Sequence, residues 1–452
     1  MNLKSIKFGG TSMGNSNSIA KCADIIKNKI KYSNVIVTVS AVAGITDKLI
    51  EIIKFAKNGK SRFIEYKIAE ICNIHKTILR DLLVNDQYLD DLWEYKFKPI
   101  INKLKAISYG TSLVGDLTNR TVARICAFGE KLSSILMVLA LEKLQIKSQR
   151  IESERIIKTD NNYLKAKVNF RMTSMSTKKI LKIVYKKGIV PVVTGFIGKD
   201  IHGNITLLGR GGSDYTASIL AIVLDASKIE IWTDVNGIMT TDPKIVQEAF
   251  SWPNLNMNFI SEMAYNGAKI IHPNTIALAV QKNIPIHIYN TFNKVFRGTK
   301  ITNNAPHGKG IITMMNNTMI TLKNKNIVGS ASFLKRVTSV VMKHNIPIDI
   351  CSTSEMSFSF SIKTENYSKK LFNTLKHFAF IKIDHGITKI CLIGNNIVFD
   401  KEILTEILSL CMQNDAKVHA ISMNPPGKNV TIIIDENVTN STLQNLHKKL
   451  LK

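Results

Sequence analysis

The chain reads as an α/β fold on a largely parallel sheet sandwiched by helices, followed by two smaller α+β units. Three observations carry that expectation. Short β-branched apolar runs alternate with helix-patterned segments over the first two-thirds of the chain. Glycine-bearing segments follow those runs directly, where ligands of such sheets bind. After the turn-rich stretch Asn303–Gly310 the texture changes to two strand–helix–strand passages.

The bulk numbers set limits. A chain of 452 residues exceeds one ordinary core, so two or three domains are expected. With 45% hydrophobic and 21% charged residues it has the composition of a globular protein. No apolar run reaches spanning length, since Ile135–Leu141 is followed at once by Glu142 and Lys143, so no membrane association is expected. Residues 1–7 lack the apolar core of a secretory leader. The six cysteines are widely spaced, and read as reduced, mostly buried thiols of a cytoplasmic protein. The net charge of +27 is unusual, but the lysines are scattered singly and in pairs, without a basic block. No nucleic-acid partner is expected from that pattern.

Taken in order, Ser5–Phe8 is a strand ending at Gly9-Gly10-Thr11-Ser12, and a helix follows with Ile19, Cys22, Ala23, Ile26 and Ile30 on one face. Val35–Val39 is a buried strand ending at Ser40-Ala41-Val42-Ala43-Gly44-Ile45-Thr46. Residues 47–105 are helical in pattern, with a break at 58–61. Val122–Leu144 reads as one long helix with Phe128-Gly129-Glu130 in its first half. Strands return at Ile189–Thr194, Ile205–Leu208, Ile229–Trp232 and Ile284–Tyr289. Beyond the linker, the first passage comprises strand 311–322, helix 333–344 and strands 348–350 and 358–362. The second comprises strand 390–393, helix 402–412, strands 418–422 and 430–434, and a last helix.

Several of these segments can carry chemistry. Lys7 ends the first strand with Gly9-Gly10-Thr11-Ser12 behind it. Glycine amides, hydroxyls and an ammonium together suit phosphate oxygens, and phosphoryl transfer needs chiefly alignment and charge neutralisation. Gly209-Arg210-Gly211-Gly212-Ser213-Asp214 lies between a strand and a helix. It fits an anion cradle, with Arg210 as a carboxylate fork, and equally a tight turn that needs two glycines. Glu130, in a mostly apolar helix, fits a cationic ligand such as an α-ammonium group, or a partly exposed helix glutamate. Thr233 and Asp234 follow a strand and either serve a ligand or cap the next element. His272 is read as a local hydrogen-bonding residue. Gly59-Lys60-Ser61 imitates the end of a Walker loop, but Lys54 stands where its first glycine belongs.

Jointly, the segments K-F-G-G-T-S at 7–12, S-A-V-A-G-I-T at 40–46, F-G-E at 128–130, T-G-F-I-G at 194–198, G-R-G-G-S-D at 209–214, T-D-V-N-G-I at 233–238, T-T-D-P at 240–243 and G-A-K-I-I-H-P at 267–273 resemble the aspartate kinases. The resemblance runs in order from Lys7 to the C-terminus and is greatest to the monofunctional lysine-sensitive form. It implies an amino-acid-kinase catalytic domain at 1–302 and two ferredoxin-like ACT domains at 303–385 and 386–452. The implied reaction is ATP-dependent phosphorylation of the β-carboxylate of L-aspartate, the first step toward lysine, threonine and methionine.

By the same resemblance, Lys7 and Asp214 are catalytic. Aspartate is held by Ser40, Thr46, Glu130, Phe196, Arg210, Gly211, Gly212 and Ser213. ATP is met by Lys7, Gly9, Gly10, Thr11, Ser12, Thr233, Asp234, Met239, Lys244, Lys269 and Ile270. Mg²⁺ is held mainly by phosphates, with no dedicated metal cage. Lysine as inhibitor falls to Phe333, Asp349, Ser352, Thr353, Ser354 and Glu355, in a homodimer formed through the ACT domains. The chain departs from the pattern at Met239 (commonly tyrosine), Lys244 (commonly arginine), Ser332 (usually glycine) and Pro347 beside the effector segment.

Overall fold

The computed structural model describes residues 2–83, 87–268, 271–293, 295–325, 330–423 and 427–451. The chain splits into two compact units. One comprises Met1–Ile238, Pro253–Met257 and Ile270–Ala305; the other comprises Met239–Trp252, Asn258–Lys269 and Pro306–Lys452. The break after Ala305 lies close to the expected boundary at 302. Two stretches from inside the expected catalytic domain, however, cluster with the C-terminal unit. In the first stretch the Thr240 carbonyl accepts Ile311 N–H at 2.8 Å and Val246 is buried in the same core as Ile311; in the second, Glu262 Oε2 accepts from Asn429 Nδ2 at 3.4 Å.

The elements of the first unit begin with β1 (Leu3–Phe8), α1 (Ser16–Ile30), β2 (Asn34–Val39), α2 (Ile45–Lys57), α3 (Ser61–Leu82), α4 (Leu89–Leu92), α5 (Lys98–Val114), α6 (Asn119–Cys126) and α7 (Phe128–Lys143). They continue with β3 (Ser148–Ile151), α8 (Phe170–Lys186), β4 (Val190–Thr194), β5 (Ile197–Lys199), β6 (Ile205–Leu207), α9 (Gly212–Val223), β7 (Lys228–Thr233) and β8 (Asn254–Asn256). Helix α10 (Met257–Tyr265) belongs, apart from Met257, to the second unit; α11 (Pro273–Lys282), β9 (Ile286–Asn290) and β10 (Thr299–Thr302) complete the first. Eight strands form one sheet in the order β3-β4-β2-β1-β7-β9-β10-β8, parallel except where β10 meets β9.

The alternation of β2 shows how the layers arise. Val35, Val37 and Val39 face a core shared with α1, α2, α3, α5 and α7, while Ile36 faces a second core with α8 and α9. Two helical layers over a twisted parallel sheet follow from that two-sided apolar pattern. Helix starts are fixed locally: Asn15, Thr118 and Asn169 each accept a backbone N–H of the first turn they precede. No helix among the described residues is long and apolar enough to cross a membrane. All six cysteines are free, and four of them are buried.

Two expectations are corrected here. The helix expected over 122–144 is two helices, broken at Ala127, so Phe128-Gly129-Glu130 opens α7 rather than lying inside a longer helix. The run 205–208 is not a strand of the main sheet. β6 pairs only with β5 in an antiparallel hairpin, which delivers the chain to the glycine turn at 209–212.

The second unit contains β11 (Lys309–Asn324), α12 (Ser330–Lys343), β12 (Cys351–Thr353), β13 (Ser357–Lys363), α13 (Lys369–Lys376), β14 (Ala379–Gly394), α14 (Lys401–Gln413), β15 (Val418–Met423), β16 (Asn429–Asp435) and α15 (Thr439–Leu450). They form one six-stranded sheet, β12-β13-β11-β14-β16-β15. The two passages are therefore not laid end to end. Asn317–Lys323 pairs with β13 in the first half-sheet, whereas Lys309–Met314 pairs with Lys389–Gly394 beside β16 in the second. A register shift between Met314 and Thr318 separates the halves, and each covers its own core. The strand expected at 348–350 is not one, although Asp349 N–H donates to the Ser361 carbonyl and Ser361 N–H to the Ile350 carbonyl; the short edge strand β12 begins at Cys351 instead.

Candidate active site and effector segment

β1 lies in the middle of the large sheet, between β2 and β7. Its alternation sends Ile6 and Phe8 into the α1–α7 core, and Ser5 and Lys7 toward α9. The Ser5 hydroxyl donates to the Ala217 carbonyl at 2.8 Å, which pins α9 against the strand. Asp214 stands in the first turn of α9, and its Oδ1 lies 2.6 Å from Lys7 Nζ, both side chains being almost buried. Strand and helix thus bring together a cation and an anion from distant parts of the chain, next to free helix-end amides.

The turn after β1 is tied down by backbone. Gly9 N–H donates to the Trp232 carbonyl at 3.0 Å, and the Ser12 hydroxyl reaches that carbonyl and Thr291 Oγ1. Ser12 and Gly9 therefore hold the shape of the turn. Among the described residues, the amides of Gly10 and Thr11 are left to meet an anion.

Glu130 stands in the first turn of α7, where the helix dipole favours an anion. Burial opposes that and wins. Desolvation pushes its carboxyl up to about 8, although its own and the Ala41 amide and the Lys7 charge act in the other direction. Its Oε2 has no hydrogen-bond partner among the described residues. A buried carboxyl with an unused oxygen is the group that an incoming ammonium would satisfy.

Ser40 follows β2 and is partly exposed; its carbonyl accepts the Ser133 hydroxyl at 2.6 Å. Thr46 is exposed in the first turn of α2. Helix α7 reaches this loop only because residue 129 is glycine: a Cβ there would lie 2.7 Å from Ala41 Cβ. Gly129→Ala should cost about 1–3 kcal/mol in urea unfolding, because Glu130 and the Ser40 loop are forced apart. An unchanged midpoint would refute that close-packing role.

Phe196 occupies the left-handed region at φ 71°, uncommon for an aromatic residue. Its amide donates to Thr216 Oγ1 at 3.0 Å and its carbonyl accepts from Leu208 N–H, so the ring is held against Gly212. Gly211 has φ 67°, and a Cβ there would meet His272 Cβ at 2.4 Å. Ser213 is buried beside Gly195, and Arg210 is exposed, with no carboxylate of the described chain paired to it. His272 caps α11 through Nδ1, and burial holds its ring below the usual imidazole pKa, with Arg210 adding to that and Asp214 opposing. Thr233 ends β7 and donates to Asp234 Oδ1 at 3.0 Å. Met239 and exposed Lys244 belong to the second unit, and Lys269 and Ile270 lie outside the described residues.

Sequence reading missed Ser133 and Thr216. Ser133 follows Glu130 by three positions, one helical turn, and that spacing was the available signal. Thr216 lies four residues after Gly212, whose carbonyl its hydroxyl also bonds.

In the second unit, Asp349 N–H donates to the Ser361 carbonyl, and the Asp349 carboxylate meets Lys389. Ser352 and Thr353 lie on exposed β12, and Ser354 with Glu355 forms the exposed turn into β13. Phe333 is a core residue of α12; its ring stands edge-on to Phe378 at 6.2 Å.

The amino acid kinase family model matches residues 4–290. An aspartokinase of Rickettsia felis is 30% identical over 455 residues, covering 98% of this chain and 97% of that one. The chain belongs to the aspartokinase family. Lysine-sensitive aspartokinase 3 of Escherichia coli is 29% identical over 458 residues, covering 99% of this chain and 98% of that protein. Two crystal structures of E. coli aspartokinase III are similar over 100% of both chains at 27% identity. The R-state complex with aspartate and ADP has a TM-score of 0.85, and the T-state complex with lysine and aspartate one of 0.84.

Proposed function

We propose that this aspartokinase-family chain transfers the γ-phosphoryl group of ATP to the β-carboxylate of L-aspartate, giving 4-phospho-L-aspartate and ADP for lysine, threonine and methionine synthesis. The observation that carries it is the Lys7–Asp214 pair at the foot of α9, with buried Glu130 and unpaired Arg210 supplied by the neighbouring segments. Arg210 takes the α-carboxylate through its planar fork and Glu130 the α-ammonium, with Ser40, Thr46, Phe196, Ser213 and the amides at 211–212 shaping the rest.

The substrate β-carboxylate is already ionised at neutral pH and needs no general base. One carboxylate oxygen forms the bond to γ-phosphorus, and the bond to the β,γ-bridging oxygen breaks as ADP leaves. The obstacle is the approach of two anions. Lys7 and the Gly10 and Thr11 amides offset it, and Asp214 orients Lys7. Thr233, Asp234, Met239, Lys244, Lys269 and Ile270 are assigned to the nucleotide.

Among the described residues no three His, Cys, Asp or Glu side chains gather as a metal site. Asp214, with one oxygen engaged by Lys7, has room to contribute one ligand, which fits a Mg²⁺ carried mainly by phosphates and water. When bound, that ion neutralises phosphate charge. Residues 1–302 are assigned to the catalytic domain and 303–385 and 386–452 to the ACT domains of a cytoplasmic homodimer, with Lys309–Met314 crossing over to pair in the sheet of the second. Lysine inhibits at Phe333, Asp349 and Ser352–Glu355.

ADP release measured with L-aspartate, L-glutamate and N-acetyl-L-glutamate tests the assignment. Turnover with aspartate should exceed that with either alternative by about 10²-fold or more, since a pocket built for a shorter chain loses alignment as well as contact. Equal or greater turnover with a glutamate would refute it.

A further inference from the structure

The second unit contains a charged contact for which phosphoryl transfer has no use. β14 runs through the middle of the six-stranded sheet, and its alternation sends Ile390 and Leu392 into the helix-covered core. Lys389 precedes them on the opposite face, and its side chain is only 5% exposed. A lysine buried in a sheet must find a counter-charge or lose its proton. Here the counter-charge is Asp349, whose Oδ1 lies 2.7 Å from Lys389 Nζ. Asp349 keeps 23% of its side-chain exposure, and the pair lines an open cleft of about 500 Å³ together with Glu262, Asn266, Asn429 and Thr431. The carboxylate is thus reachable from solvent, yet an ammonium from the chain itself already sits on it.

We propose that Lys389 is a built-in ammonium occupying the carboxylate end of the effector site, so that free lysine gains little from its own ε-ammonium and inhibits this chain weakly. This rests on the assignment of Asp349, with Ser352–Glu355, to the effector segment. A second ammonium brought to Asp349 would lie beside a like charge that is held in place and poorly screened. Lys389 is also attached to the chain, so its effective concentration is high and free lysine must compete with it. Lys389 therefore sets specificity at this site by pre-empting the Asp349 carboxylate, which would otherwise be open to the ammonium that distinguishes lysine from an apolar amino acid of the same length.

The test uses the full-length protein and calorimetric titration with lysine and with norleucine, which lacks the ε-ammonium. In the unmodified protein the two dissociation constants should agree within about threefold, and in Lys389→Met lysine should bind about tenfold or more tighter than norleucine. Lysine inhibition of ADP release, taken relative to that variant's own turnover without lysine, should strengthen by a similar factor. Asp349 remains partly solvated once its partner is gone, and the unmodified protein's comparison of the two ligands requires no variant to fold. A lysine preference of about tenfold already present in the unmodified protein, or none gained in Lys389→Met, overturns the role of Lys389 alone. Failure of both amino acids to bind either form removes the effector-segment assignment as well.

Discussion

Lys7→Ala should lower turnover by about 10³-fold or more while the aspartate KM changes little, because the ammonium acts on charge that develops during transfer. Three features make this the largest expected effect. Lys7 lies on the central strand, is almost buried, and has Asp214 at 2.6 Å to fix its position. Water entering the space left behind would solvate the phosphate oxygens but could not supply a preorganised positive charge. Lys7→Arg should fail to restore activity, since a planar fork cannot replace a compact ammonium already held at that distance from a carboxylate. Thermal unfolding within a few degrees of the unmodified protein would separate a catalytic loss from a folding loss. Near-normal turnover in a folded Lys7→Ala protein would refute the role.

Glu130 governs the second large effect, and the sign follows from its carboxyl being pushed up to about 8. In the free protein at pH 7 the group is mostly protonated, whereas holding an α-ammonium requires the carboxylate. Aspartate binding must therefore expel a proton from Glu130, and kcat/KM should rise about tenfold per pH unit up to about 8 before levelling off. Glu130→Gln keeps the volume and removes the charge. Its aspartate KM should rise about 10²-fold, and the inflection near pH 8 should vanish. Stability without substrate should follow the same group. Protons are held more tightly in the native state than in the unfolded one, so the contribution is fully present below the unfolded carboxyl pKa of about 4.3 and is lost as pH rises through about 8. In that window unfolding should become easier by up to about 1.4 kcal/mol per pH unit, and Glu130→Gln should flatten the slope. A pH profile of KM identical in both proteins would show that Glu130 does not meet the ammonium.

Two segments of the candidate site are legible because their chemistry is local. Gly9-Gly10-Thr11-Ser12 after a strand, and Gly211-Gly212-Ser213-Asp214 before a helix, announce amides that can face an anion whatever surrounds them. The same locality misled the reading of 122–144, where unbroken apolar periodicity conceals a break at Ala127. Just past that break Gly129 packs against Ala41, a contact made across the fold that the local pattern does not show. The run at 205–208 has the residue types of a sheet strand, yet its partner is the hairpin strand β5.

The regulatory half shows the division more clearly. Helices α12 and α14 and strands β13, β15 and β16 follow from apolar spacing, whereas Asp349 with Ser352–Glu355 stands out only through resemblance to the effector segment of the aspartate kinases. That β11 and β14 each run through both half-sheets is not visible. Alternation marks a strand's two faces but does not name the strand that will pair with its edge. Nor does the sequence pair Lys389 with Asp349, or Lys7 with Asp214. Residue types and their spacing determine which groups can hold a phosphate, an ammonium or a carboxylate. Which charges face one another, and which carboxyl loses its water, is decided only when sheet register and helix packing bring distant segments within a few ångströms.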